Sequence, residues 1–181
     1  MRAHTNILIK ASPEDFKADH PSYTYGPPFP GYLYQTPASL ACIYGLQPAV
    51  SGCNPNVTSL NPTGGGRAVA IVDAFDDPNA YADLATYSGQ FGLAAINPSS
   101  FIVVYAPPGR DKPGVCKNNA TQPPVDPTGG WEVEESLDIQ MAHAMAPDAT
   151  FYLVEAQSNY FTDLLCAVTV ARGCFINIVS G

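Results

Sequence analysis

From Arg67 onward, short apolar runs alternate with stretches of helical period. Ala68–Val72 is continuously apolar, the pattern of a strand buried on both faces. Asp73 and the turn Asp76-Asp77-Pro78-Asn79 follow, and then Tyr81, Leu84, Ala85, Ser88 and Phe91 recur at helical spacing before Gly92. Phe101–Tyr105 reads as a second strand, residues 106–130 as a long Pro/Gly loop, and Glu132–Ala146 as a helix. That helix carries Leu137, Met141, Ala144 and Met145 on its apolar side. Thr150–Val154 is a third strand. Phe161–Ala171 is a helix with Leu164, Leu165 and Val168 inward, closed by Gly173, and Phe175–Val179 is a fourth strand. This alternation predicts an α/β fold, a mostly parallel sheet flanked by helices. A parallel sheet rarely stops on an interior strand, so the reading includes truncation at the carboxyl end.

The first third of the chain reads differently. Residues 1–40 hold Pro21, Pro27, Pro28, Pro30 and Pro37 without a helical period, which predicts an extended N-terminal arm lying on the domain that occupies 41–181. Residues 38–46 suit a short helix ended by Gly45. Gly64-Gly65-Gly66 precedes a strand instead of joining a strand to a helix, so it is no phosphate cradle and reads as a flexible linker.

Charge narrows the partners. The 181 residues include 8 Lys+Arg against 16 Asp+Glu, a net charge of −8, which argues against nucleic acid as a partner because phosphates need clustered cations. At 46% hydrophobic and 13% charged, the composition is that of a folded domain and not of a disordered acidic tail. No apolar run reaches the roughly 18–20 residues that span a bilayer, so no membrane partner is expected. In acid the carboxylates neutralise and few positive charges remain to repel one another, which suits a protein that works at low pH.

Five cysteines, Cys42, Cys53, Cys116, Cys166 and Cys174, contain no CxxC spacing. Cys42 and Cys53 flank a short Pro/Gly segment and suit a disulfide where the compartment is oxidising; an odd count leaves one thiol over. His4, His20 and His143 show no ligand spacing, so no metal site is expected in this chain, and His143 reads as an ordinary helix residue. The segment MRAHTNILIK has no apolar signal core. Asn56-Val-Thr58 and Asn119-Ala-Thr121 match glycosylation acceptors, which matter only in a eukaryotic secretory pathway.

The chemistry concentrates in GGWEVEESLDIQMAHAMAP. Glu134 and Asp138 are four residues apart, so on a helix their side chains stack on one face. Partly buried, they would share a proton; exposed, they would be an acidic first turn that suits the helix dipole. Ser136, two residues from each, points away from both.

The string around that pair resembles the sedolisin family, the serine-carboxyl peptidases. The likeness is carried by Glu-x-x-x-Asp-Ile over Glu134–Ile139 and the following AHAMAPDATFYLVEA, with AVAIVDAFDDPNAYADLATYSGQFGL and TPASLACIYGL upstream. Together these cover most of residues 36–172 in the family's order. The resemblance implies a subtilisin-like fold, secretion, and hydrolysis of protein or peptide substrates at acid pH through a Ser-Glu-Asp triad. It makes Glu134 the general base, Asp138 its orienting partner and Asp73 a member of the supporting network. A carboxylate base with an ordinary pKa of about 4 is useful only in an acidic medium.

Two departures qualify what the resemblance implies. The family's serine lies in a Gly-Thr-Ser segment, and that tripeptide is absent from these residues. The family's oxyanion aspartate and calcium site lie beyond the strand expected to end at Gly181. The chain therefore reads as a partial peptidase catalytic domain over 41–181, without cofactor and inactive by itself. The alternative is a non-catalytic binding or scaffold protein descended from such a peptidase.

Overall fold

A computed structural model describes residues 35–179 apart from Asn56 and Pro113, with side chains as far as Cys174. The expected arm over 1–40 lies outside the described residues except at its end, where Pro37 already begins a helix. His4, His20 and Asn56 also lie outside them.

The elements in order are α1 (Pro37–Tyr44), β1 (Ala68–Ala74), α2 (Ala80–Phe91), β2 (Phe101–Tyr105), α3 (Gly130–Met145), β3 (Thr150–Ala156) and α4 (Phe161–Val179). Thr36 and Ser39 cap the start of α1 reciprocally: the Ser39 N–H donates to Thr36 Oγ1 at 3.1 Å and the Thr36 N–H to Ser39 Oγ at 2.7 Å. Gly45 and Gly92 end α1 and α2 in the left-handed region at φ +66° and +62°, as their places in the sequence predict.

The three strands form a parallel sheet in the order β1-β3-β2. β3 is central, and its core residues are covered on both faces. On one face Ile71, Phe101, Phe151 and Leu153 meet Leu84 of α2 and Ile139 of α3. On the other, Val154 and Ala156 meet Ala167 and Ala171 of α4. The α/β class and the parallel, helix-flanked sheet follow the sequence.

Three expectations need correction. Residues 175–179 are the last turns of α4, not a fourth strand. A helix gains one hydrogen bond per added residue and an interior glycine such as Gly173 costs only about 1 kcal/mol, whereas a strand needs a paired neighbour. Gly64-Gly65-Gly66 is a docked turn, not a free linker: the Asp148 N–H donates to the Gly64 carbonyl at 3.0 Å and the Gly64 N–H to Asp148 Oδ2 at 2.7 Å. A Cβ on Gly65 would lie 2.6 Å from Ala146 Cβ, so only glycine allows this approach. In α4, Leu164 packs inward as expected, but Leu165 and Val168 are exposed; the small residues Ala167 and Ala171 let the helix lie close on the sheet instead.

Disulfides join Cys42 to Cys53 and Cys116 to Cys166, and Cys174 is a free thiol. The second bond ties the long loop after β2 to α4, where the Gly109 N–H also donates to Asp163 Oδ1 at 2.7 Å.

Candidate functional site

Period-2 alternation along β1 places Ile71 and Asp73 on the same face. Ile71 belongs to the core beneath α2 and α3, and Asp73, two residues on, is the first polar residue of that row. It is 3% exposed, and its Oδ2 has no hydrogen-bond partner. Desolvation, followed by the charges of Asp138 and Glu134, pushes its carboxyl up from 3.8 to about 7. Fold topology therefore brings Glu134 and Asp138 of α3 each within electrostatic reach of Asp73.

Beyond β1 the chain turns sharply. Phe75 adopts φ +75°, a conformation that bulky residues avoid, while its N–H donates to the Ala156 carbonyl at 2.8 Å. This turn delivers Asp76 and Asp77 to the same end of the sheet. Gln122 Nε2 donates to both Asp76 oxygens at 3.0 Å. Asp77 Oδ1 accepts from the Asn79 N–H at 2.9 Å.

Helix α3 is started by a residue outside it. Asp126 Oδ2 accepts from the N–H groups of Gly130 at 3.1 Å and Trp131 at 3.2 Å and from Thr128 Oγ1 at 2.7 Å. These bonds occupy donors that a helix start leaves open. Burial works against the Asp126 carboxylate, but the hydrogen bonds from Thr128, Trp131 and Gly130 outweigh it and hold its pKa below the ordinary value.

The inward stripe of α3 is Trp131, Glu135, Ile139 and His143, each one step of four along the helix. This corrects the expected apolar side: Leu137 is exposed and Met141 and Met145 are half-buried, while only Ala144 of that set is buried. Glu134 and Asp138 lie on the flank of this stripe, Glu134 half-buried and Asp138 exposed. What desolvation the Asp138 carboxyl does experience raises its pKa above the ordinary value. On the other flank, Ser136 Oγ donates to Asp77 Oδ2 at 3.4 Å and lines an open cleft of about 400 Å³ between α2 and α3, with Asp83, Glu132 and Gln140. Ser136 thus faces away from the pair, as helical spacing requires. His143 is 2% exposed, with Nε2 3.0 Å from the Ala94 carbonyl and its ring edge-on to Phe151, so the residue read as an ordinary helix position is packed into the core.

Sequence reasoning missed two acids. Glu135 and Glu155 are both 0% exposed, and all four of their carboxyl oxygens are without a hydrogen-bond partner. Asp76 and the Asp77 N–H lie beside Glu155 but outside hydrogen-bond geometry. Desolvation first and neighbouring acids second push both groups far above the usual carboxylate range. The signal for Glu135 was its spacing of four from Trp131 and Ile139. For Glu155 it was its place two residues after Leu153 on the same strand face.

Among the described residues, no three His, Cys, Asp or Glu side chains are arranged to hold a metal ion, and no helix is long and apolar enough to cross a membrane. Comparison of the chain with models of known protein families, with curated proteins and with solved structures gives no match.

Proposed function

We propose that this chain is the base-carrying part of a sedolisin-type serine-carboxyl peptidase, secreted and acting on protein or peptide substrates in acid. The observation that carries the reading is the convergence of Asp73 with Glu134 and Asp138 at the carboxyl end of β1. In this reading Glu134 takes the proton of a serine supplied by a further segment as that serine attacks the peptide carbonyl, and returns it to the departing amine as the C–N bond breaks, leaving an acyl-enzyme that water hydrolyses. Asp138 orients Glu134, and Asp73 continues the network inward. The two disulfides agree with an oxidising, extracellular setting. The three-stranded sheet would be part of a larger subtilisin-like one, with the serine, the oxyanion aspartate and a calcium site on residues beyond Gly181.

A second reading has its own support. Asp138 is exposed, and the 181 residues contain no Gly-Thr-Ser. A non-catalytic binding or scaffold protein descended from such a peptidase would keep this fold without its chemistry.

The gene's downstream reading frame separates the two. A Gly-Thr-Ser segment there supports the peptidase, and its absence leaves the scaffold reading. Expressed with that segment, the protein is expected to cleave casein at about pH 3–4, with activity abolished by Glu134→Gln. Undiminished acid cleavage by the variant would remove the assignment.

A further inference from the structure

The sheet face beneath α3 is built in rows. Val69, Phe151 and Phe101 form one row and Ile71, Leu153 and Val103 the next, by the register of the parallel strands. The row after that is Asp73, Glu155 and Tyr105. Along α3 the same change occurs: Ile139 packs on the apolar rows, and Glu135, four residues or about 6 Å earlier along the helix, reaches the acidic one. A core thus continues at its carboxyl end as carboxyl groups.

We infer that Glu135 and Glu155 are a protonated carboxyl pair that docks the first half of α3 on the sheet, so that the helix bearing Glu134 and Asp138 is held in acid and released in alkali.

The geometry leaves few other states. Both side chains are fully buried, and their four oxygens together with Asp73 Oδ2 have no donor in hydrogen-bond geometry, the Asp77 N–H lying beside Glu155 being too poorly placed to hold its charge. The charged groups acting on Glu135 are all acids: Glu155 of β3, Asp73 of β1, and Asp77 and Asp76 of the turn after it. Those acting on Glu155 are Asp76 and Asp77, with Tyr105 of β2 beside it in register. Asp73 meets Asp138 and Glu134, and Asp77 meets Asp83 of α2. Among the described residues, no cation acts on the pair. A buried carboxylate without donor or counter-ion takes up a proton, and the resulting O–H can donate to the next carboxyl. Protonated, the pair is a polar but neutral end to the core. Ionised, it places two negative charges among three further acids, Asp73, Asp76 and Asp77. They act as positioning residues, because the group they hold in place is α3.

That this docking confines the base to acid rests on the peptidase reading; the proton pair itself does not, and its test involves no peptide cleavage. Hydrogen–deuterium exchange of the oxidised chain, corrected for intrinsic rates, would follow the amides of residues 130–140 from pH 5 to pH 9. Protection is expected to fall by up to about tenfold per pH unit for each group that stays protonated only when folded. Glu135→Gln combined with Glu155→Gln, neutral at every pH, should keep only the loss below about pH 7 that Asp73 causes and hold protection nearly constant above it. A wild-type helix equally protected at pH 9, or a variant that loses protection as the wild type does, overturns the inference. Carboxyl carbon NMR of the wild type gives a readout that does not depend on the variant folding. Neither signal should titrate below pH 7, and ordinary titration of either near pH 4–5 refutes the pair. Recovery of protection at pH 9 on adding calcium chloride would also refute it, since the carboxylates would then be holding a cation.

Discussion

Glu135 and Asp138 are three residues apart on one helix, and their surroundings make them different acids. Glu135 is sealed between α3 and the sheet, whereas Asp138 is exposed. Asp73 lies between these extremes in consequence. Its folded pKa of about 7 exceeds its ordinary 3.8, so folding takes up a proton. The stabilisation is complete below about pH 4 and is lost as pH rises toward 7. Asp73→Asn, which mimics the neutral acid, is therefore expected to match the wild type at pH 4 and exceed it by on the order of 4 kcal/mol at pH 7.5. Urea unfolding at the two pH values measures the difference, and an Asn variant less stable at pH 7.5 would contradict it. His143 acts with the opposite sign. Burial depresses its pKa, so its contribution is full above about pH 6.5 and fades as the medium becomes more acid.

At the scale of elements, α3 depends on a residue four positions before its first. Asp126→Ala should cost about 1–2 kcal/mol and expose the first turn of α3, with Asp126→Asn milder because it keeps an acceptor. Thermal melts at pH 7 compare the three. Because the Asp126 pKa is lowered, its stabilisation is present above its ordinary value and declines as pH falls through it. The sequence signalled the three strands because an apolar run of five residues between turn signals has few other readings. It signalled the stops at Gly45 and Gly92 because left-handed caps favour glycine. It did not signal the phase of α3. Leu137 and Met141 outweighed Trp131 and Ile139 by hydrophobicity, yet phase is decided by which face meets the sheet. Phe175–Val179 misled for a related reason, since a short β-branched run fits a strand or a buried helix equally until its neighbours are known. Glu134 and Asp138 were legible as a spaced pair, while the burial that distinguishes Glu135 and Glu155 exists only after the strands align.

For the whole molecule, cross-links and pH act together. In the loop-entropy model the Cys116–Cys166 bond, closing 50 residues, contributes about 4 kcal/mol, and Cys42–Cys53, closing 11, about 3. Replacing Cys116 and Cys166 together by alanine should therefore lower the melting temperature more than replacing Cys42 and Cys53 together. Scanning calorimetry of both variants checks the order, and the reverse ranking would show that strain or residual structure governs instead. The longer bond also determines how the molecule responds to damage. A protease that cuts the backbone once anywhere between Cys116 and Cys166 severs the chain without dividing the molecule. The two pieces run together on a gel until the sulfur bridge is reduced, and α4 keeps its hold on the loop.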